Sequence, residues 1–124
     1  MKQNLNVLYM GDIDKGRSLT SGYKWRGWQL YLPADAFEAL AMTVLYVPDV
    51  VVIDSALRPT VAFEMYYHLR LSTFETRILV LSDKPQQWNS EQTPHVRVLP
   101  LATDCTTLAH VIIDMIEFGQ LSGT

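Results

Sequence analysis

The chain has 124 residues, of which 48% are hydrophobic and 19% are charged, and it carries a formal net charge of −3. This length and balance predict one globular domain, and the acidic charge argues against the basic surface of a nucleic-acid-binding domain. A single cysteine, Cys105, excludes an intramolecular disulfide, and the apolar runs are far shorter than the ~20 residues of a membrane span, so we expect a cytoplasmic protein.

Short apolar runs alternate along the chain with segments of helical length. Strands are expected at residues 6–10, 28–32, 50–53, 77–81 and 96–99. Several of these runs are continuously apolar, which is typical of strands covered on both faces. Helices are expected at residues 14–25, 34–46, 60–72 and 104–118. The alternation predicts an α/β fold, a doubly wound, five-stranded parallel sheet with helices on both faces.

The last helix has the clearest pattern. A single apolar stripe at i, i+3, i+4, i+7 and i+8 begins at Leu108. Thr103 or Asp104 is expected to cap the start of this helix, and Gly119 is expected to end it. We therefore assign residues 1–119 to the domain and residues 120–124 to a tail or the start of a linker.

The second expected helix contains an unusually apolar segment, EALAMTVLYV, at residues 38–47. Either an additional element buries this segment, or it forms a patch that binds a protein partner or a second copy of the chain. Four aromatic residues are further candidates for exposed positions: Trp25, Trp28, Tyr66 and Tyr67.

Polar residues follow several of the expected strands. In a parallel sheet, ligands bind beyond the carboxyl ends of the strands. Asp12 follows the first strand, Asp54 ends the third and Ser82 ends the fourth. Two converging carboxylates, Asp12 and Asp54, are the ligands that Mg²⁺ prefers. Each residue also has a simpler interpretation: Asp54 as a strand-end residue facing water, Asp12 as a helix cap, and Ser82 as a turn residue.

The sequence resembles the receiver domains of bacterial response regulators over nearly its whole length. The resemblance rests on four stretches: NVLYMGD, RGWQLYLPADAFEAL, PDVVVIDSALRP with AFEMYYHLR after it, and ILVLSD. It implies the flavodoxin-like strand order 2-1-3-4-5. It also implies two-component signal transduction, in which a histidine kinase or a phosphotransfer protein delivers a phosphoryl group to an aspartate.

The resemblance assigns roles to four positions. Asp54 matches the phosphoacceptor at the end of the third strand, and Ser82 matches the hydroxyl residue that turns toward the phosphoryl group. Asp12 matches an acid that binds Mg²⁺ directly. The main-chain carbonyl of Ala56, two residues past Asp54, matches a further metal ligand.

Three departures from the family pattern are visible. The family usually has two adjacent acids after the first strand, and Gly11 stands at the position of the first one. Asp14 is two residues out of register to replace this acid. The lysine expected after the fifth strand is replaced by an apolar residue, either Leu99 or Leu101. The aromatic switch residue expected on that strand is also replaced by an apolar residue, either Val96 or Val98. The segment DKPQQWNSEQTPH has prolines near both ends, so the family's fourth helix is expected to be short or lost.

Three functions are compatible with these features. The first is a receiver-like domain that accepts a phosphoryl group on Asp54 with bound Mg²⁺. The second is a pseudo-receiver that acts as a protein-interaction module without phosphorylation. The third, a phosphatase related to haloacid dehalogenases, rests only on the short match YMGDIDKG, and the chain lacks the acidic pair that would complete that metal site. We therefore expect no enzyme activity.

Overall fold

The structure is a computed structural model that describes residues 5–21, 28–54, 59–72, 76–91 and 95–122. Strands and helices alternate along these ranges. A 3-10 helix lies between the fourth and fifth strands, at Pro85–Glu91. The other elements, in chain order, are β1 (Leu5–Met10), α1 (Ile13–Ser21), β2 (Trp28–Tyr31), α2 (Ala36–Tyr46), β3 (Val50–Asp54), α3 (Pro59–Ser72), β4 (Arg77–Ser82), β5 (Val96–Pro100) and α4 (Cys105–Ser122).

The five strands form one parallel sheet in the order β2-β1-β3-β4-β5. The predicted fold class and strand order are therefore confirmed. Every residue of β3 is buried, as the continuous apolar run at its centre predicts for a strand covered on both faces. The sheet brings the carboxyl ends of β1, β3 and β4 to one edge.

Helices cover the two faces of the sheet and create two separate hydrophobic layers. Alternate strand residues point to opposite faces. On one face, α1 and α4 contribute Leu19, Leu108, Ala109, Ile112, Met115 and Ile116. On the other face, α2, α3 and the 3-10 helix contribute Ala39, Ala62, Met65, Tyr66, Leu69 and Trp88. No helix in the described ranges is long and apolar enough to cross a bilayer.

Three helices begin at aspartate caps. Asp35 accepts the N–H of Glu38 at 2.8 Å, and Asp104 accepts the N–H of Thr107 at 2.7 Å. Asp12 takes the same role at the start of α1. The hydrogen bonds from Thr107 hold the pKa of Asp104 below its usual value. These caps satisfy amide groups that have no partner within the helix, which is why aspartate is favoured at these positions.

The family's fourth helix is replaced by the 3-10 helix at Pro85–Glu91, as the proline-bounded segment predicts. Its anchor is Trp88, which is only 1% exposed. The indole ring stacks on Phe63 with a centroid distance of 4.1 Å, and it meets Tyr66 edge-on at 5.3 Å. The aromatic contacts attach this short element to α3.

Two predictions from the sequence are wrong. Helix α4 continues through Gly119 to Ser122 instead of ending at Gly119. A glycine inside a helix costs only about 0.5–1 kcal/mol relative to alanine, so it does not end a helix by itself. Tyr66 is buried rather than exposed, because it packs under Trp88. Trp25 lies outside the described residues, and the domain boundary at residue 119 stays a prediction.

We expect Trp88→Ala to lower the free energy of unfolding by about 3–5 kcal/mol, because it leaves a cavity between α3 and the 3-10 helix. Chemical denaturation monitored by circular dichroism measures this loss. Gln87→Ala, at an exposed position of the same 3-10 helix, should change stability by less than about 0.5 kcal/mol. Equal effects of the two substitutions would contradict the anchoring role of Trp88.

Candidate functional site

The carboxyl edge of the sheet brings together the residues that were predicted as a site. Met10 pairs with Ile53, and Asp54 pairs with Leu81. Asp12 therefore lies just beyond the edge beside Asp54, and Ser82 lies one residue past the strand partner of Asp54. The carbonyl of Ala56 lies outside the described residues.

Asp54 is buried within this edge. Its side chain is 1% exposed, and its Oδ2 atom accepts a hydrogen bond of 2.7 Å from the hydroxyl of Tyr9. Burying a carboxylate costs several kcal/mol unless charges or hydrogen bonds compensate. The interpretation of Asp54 as a strand-end residue facing water is therefore wrong.

Sequence reasoning missed Tyr9, the residue that reaches Asp54. Val52 and Asp54 are two residues apart and therefore lie on the same face of β3. Tyr9, on the neighbouring strand β1, belongs to the hydrophobic layer on that face. The signal that would have found it is a tyrosine within an otherwise aliphatic strand, because a buried phenol hydroxyl usually requires a hydrogen-bond partner.

The environment of Tyr9 keeps its hydroxyl protonated. Burial raises the pKa of Tyr9 far above its usual value, and the hydrogen bond to Asp54 and the negative charges of Asp54 and Asp12 raise it further. Each cause disfavours the phenolate. The hydroxyl therefore keeps its proton and acts as a hydrogen-bond donor to Asp54 throughout the physiological pH range.

Gly11 explains why the first acid of the family's pair is absent. Its φ angle is +146°, a conformation that side-chain-bearing residues rarely adopt. A Cβ atom at this position would lie 2.3 Å from the Cβ of Asp54. The backbone of β1 therefore passes directly against the Asp54 side chain, and this approach leaves no room for a carboxylate at residue 11.

Asp12 is exposed and caps α1. Its Oδ1 atom accepts the N–H groups of Asp14 at 3.0 Å and Lys15 at 3.3 Å. The capping interpretation of Asp12 is therefore correct. A carboxylate has two oxygens, so capping through Oδ1 is compatible with a second role for the same side chain.

The carboxylate oxygens of Asp12 and Asp54 are of the ligand type that hard cations prefer. Among the described residues, no group of three or more His, Cys, Asp or Glu side chains is arranged to hold a metal. Mg²⁺, however, is commonly held by one or two carboxylates and keeps several waters. Asp54 ends β3 and Asp12 follows the neighbouring strand β1, and Asp14 instead donates its N–H to Asp12.

Ser82 ends β4 with its side chain buried and turned toward the next loop. Its Oγ atom accepts the N–H of Lys84 at 3.0 Å, so it takes part in a turn, as the simpler interpretation predicts. Ser82 also lines a cavity of about 150 Å³ together with Phe63 and Trp88. The cavity links the end of β4 to the aromatic contacts that hold the 3-10 helix. A switching role for Ser82 stays a prediction.

The positions of the family's lysine and aromatic residue are apolar in the structure. Leu99 and Leu101 pack against the core layer of α1 and α4, and Val96 and Val98 belong to the opposite layer. Lys15 supplies a cation near this loop, since its Nζ atom donates to the carbonyl of Leu101 at 2.7 Å. Sequence reasoning missed Lys15, because a contact between residues 86 apart leaves no local pattern.

Helix α2 exposes an apolar stripe, here called the α2 surface, formed by Phe37, Ala41, Val44 and Leu45. These residues are spaced i, i+4, i+7 and i+8, so they share one face of the helix. Phe37 is 88% exposed, and Val44 and Leu45 are 75% and 71% exposed. Of the two alternatives for this helix, the described residues support the exposed patch.

The sequence matches neither a protein-family model nor a curated protein. Solved structures nevertheless share its fold. The signal receiver domain of a putative LuxO repressor protein from Vibrio parahaemolyticus aligns over 97% of this chain and 95% of that chain, with a TM-score of 0.79 and 10% identity. Chemotaxis response regulator CheY4 of Vibrio cholerae aligns over 90% and 98%, with a TM-score of 0.71 and 22% identity.

A third similar structure is that of an adenylate cyclase from Rhodopirellula baltica. It aligns over 97% of this chain and 93% of that chain, with a TM-score of 0.78 and 18% identity. Together these similarities show that the chain has the fold of response regulator receiver domains. The resemblance noted in the sequence is confirmed at the level of the fold.

We expect Gly11→Asp, which recreates the family's pair of acids, to lower the free energy of unfolding rather than to improve the site. The backbone conformation alone should cost about 1–3 kcal/mol, and the new Cβ must displace Asp54. Thermal and denaturant unfolding measure the change. Ser18→Ala, at an exposed position on α1, is the control, with an expected change of less than about 0.5 kcal/mol. A fully stable Gly11→Asp variant would contradict the close contact with Asp54.

Proposed function

We propose that this chain is a cytoplasmic receiver-like domain of a two-component phosphorelay, with Asp54 as the phosphoacceptor. A histidine kinase or a phosphotransfer protein would supply the phosphoryl group. The domain would act as a signalling module and not as an enzyme. The fold supports this class of function, and the surroundings of Asp54 support the assignment of the residue.

The observation that carries the proposal is the buried carboxylate of Asp54 at the carboxyl edge of the sheet. This edge is where parallel α/β sheets bind ligands. Tyr9 holds one oxygen of the carboxylate, and Gly11 brings the backbone of the neighbouring strand against its Cβ. Its partner Tyr9 has a strongly raised pKa, and groups with perturbed pKa values are concentrated at functional sites.

The proposed transfer needs one nucleophilic group from this chain. An oxygen of the Asp54 carboxylate forms a bond to phosphorus, and the bond between phosphorus and the donor histidine nitrogen breaks. The nitrogen keeps the electron pair of that bond and takes a proton from solvent. The product is an acyl phosphate on Asp54. Tyr9 orients the carboxylate by donating a hydrogen bond to Oδ2.

The carboxylates of Asp12 and Asp54, with the main-chain carbonyl of Ala56, are the residues that would hold Mg²⁺. When bound, the ion neutralises negative charge on the oxygens of the transferring phosphoryl group. Asp12 and Asp54 are two negative groups at the same edge, so a cation there also relieves their mutual repulsion.

The α2 surface favours a second candidate function, a protein-interaction module that works without phosphorylation. Exposed apolar patches on soluble proteins commonly mark interaction sites. The resemblance expects a lysine at the position of either Leu99 or Leu101, and the apolar residue there removes one part of the switch, as expected for a pseudo-receiver. A second copy of the chain is the simplest partner that this candidate predicts.

We expect the protein to gain the mass of one phosphoryl group when it is incubated with acetyl phosphate and millimolar Mg²⁺. Intact-protein mass spectrometry measures the gain. Asp54→Asn is the matched control, because asparagine has nearly the same shape and still accepts the Tyr9 hydrogen bond, yet it lacks the nucleophilic carboxylate. Phosphorylation of Asp54→Asn to the same extent would contradict the assignment of Asp54.

Asp12→Asn separates the capping role of Asp12 from its proposed metal role. Asparagine caps a helix about as well as aspartate does, so stability should remain within about 0.5 kcal/mol. Half-maximal phosphorylation should nevertheless require a higher Mg²⁺ concentration than in the wild type. An unchanged Mg²⁺ dependence would remove Asp12 from the proposed metal site.

If the α2 surface mediates self-association, sedimentation equilibrium should detect a dimer that Leu45→Glu converts to a monomer. The substitution places a charge at the C-terminal end of the apolar stripe. Thr107→Glu introduces the same charge at an exposed position on α4, on the opposite face of the sheet, and should leave the dimer intact. A wild-type protein that stays monomeric at high micromolar concentration would argue against this form of the second candidate.

A further inference from the structure

We propose that the Tyr9 hydroxyl, through its hydrogen bond to Asp54, shortens the lifetime of the acyl phosphate. This inference rests on the proposed function of Asp54. It adds a specific role for Tyr9, which lies on β1, whereas the resemblance places the lysine after β5.

Close backbone approaches surround the contact between Tyr9 and Asp54. Gly11 permits β1 to pass against the Asp54 side chain. A Cβ at Gly16 would lie 2.7 Å from Cδ2 of Leu32 and 3.1 Å from Cδ1 of the Tyr9 ring, so α1 also approaches Tyr9 closely. Substituting Gly11 would push the Asp54 side chain away. The 2.7 Å hydrogen bond therefore belongs to a fixed arrangement.

The donor reaches Asp54 from the core and not from the loop that follows β5. The two candidate positions for the lysine, Leu99 and Leu101, are apolar and packed against the core layer to which Tyr9 belongs. Lys15 directs its amine to the carbonyl of Leu101. A lysine would place a positive charge beside the phosphoryl oxygens, whereas the phenol hydroxyl of Tyr9 is neutral.

A neutral donor favours the free carboxylate over the acyl phosphate. In free Asp54 the acceptor oxygen carries charge, whereas in the acyl phosphate it is a carbonyl oxygen of an uncharged group. Hydrogen bonds to ionised acceptors are roughly twice as strong as hydrogen bonds to neutral ones. The Tyr9 bond therefore strengthens as the phosphoryl group leaves.

This difference in hydrogen-bond strength changes mainly the rate at which the acyl phosphate is hydrolysed. A water molecule attacks phosphorus, the bond between phosphorus and the Asp54 oxygen breaks, and the carboxylate leaves with the electron pair of that bond. The proton of the water passes to solvent, and inorganic phosphate is released. In a loose transition state, the bond to the leaving carboxylate is largely broken, so most of the charge has already developed on Asp54.

Tyr9 should have little effect on the rate at which Asp54 is phosphorylated. In the loose transition state of the forward transfer, the new bond to Asp54 is barely formed, so the carboxylate retains most of its charge. The Tyr9 bond then has nearly the same strength in the starting state and in the transition state. Tyr9 should change the rate of loss of the phosphoryl group much more than the rate of its uptake.

The test compares wild type with Tyr9→Phe, phosphorylated by acetyl phosphate in Mg²⁺ and then freed of the donor by rapid desalting. We expect the acyl phosphate of Tyr9→Phe to survive roughly five- to tenfold longer, with the initial rate of uptake changed by less than about twofold. Intact-protein mass spectrometry follows the two processes. Circular dichroism establishes that the variant is folded.

A second variant distinguishes hydrogen-bond donation from packing. Replacing Tyr9 with 3,5-difluorotyrosine gives a stronger donor with a ring of similar size, so the lifetime should fall below that of the wild type. The expected order of lifetimes is Tyr9→Phe, then wild type, then the difluorotyrosine protein. This comparison remains decisive if Tyr9→Phe fails to fold, because a change in packing alone does not follow donor strength.

Two results would overturn the inference, and they differ from each other. Normal uptake with equal or reversed lifetimes would show that Tyr9 does not act on the acyl phosphate, while the assignment of Asp54 would stand. No uptake of a phosphoryl group by the wild type would remove the proposed function of Asp54 and the role of Tyr9 with it.

Discussion

The hydrogen bond between Tyr9 and Asp54 is the interaction on which the carboxyl edge of the sheet depends. A carboxylate that is 1% exposed is stable only where the surrounding groups compensate for the loss of water. The phenol hydroxyl provides part of that compensation from within the core. Gly11 and Gly16 then follow as requirements, because each permits a backbone to approach one member of the pair.

The sequence predicted the sheet because continuous apolar runs such as that of β3 have few alternatives to a buried parallel strand. It also placed Asp54 correctly, since the end of a buried strand is a defined position. It did not predict the partner of Asp54: Tyr9 was grouped with the strand hydrophobics, and a long-range hydrogen bond between residues 45 apart leaves no local pattern. The burial of Tyr66 was missed for the same reason, because it depends on Trp88.

The structure gives a packing context for each departure from the receiver pattern. Gly11 replaces an acid because Asp54 lies against it. The apolar residues at the end of β5 extend the core layer that contains Tyr9. The short 3-10 helix keeps its place through Trp88, next to the cavity that Ser82 lines. A polar contact to Asp54 thus comes from β1, and aromatic packing fixes the segment after β4.

The most direct test of this account is a crystal structure of the protein grown with Mg²⁺ and beryllofluoride, an analogue of the phosphoryl group. The account predicts beryllofluoride bonded to one oxygen of Asp54, with the Tyr9 hydroxyl still within hydrogen-bonding distance of the other oxygen. An unmodified Asp54 at saturating beryllofluoride, or a bound adduct with Tyr9 turned away from the carboxylate, would contradict it.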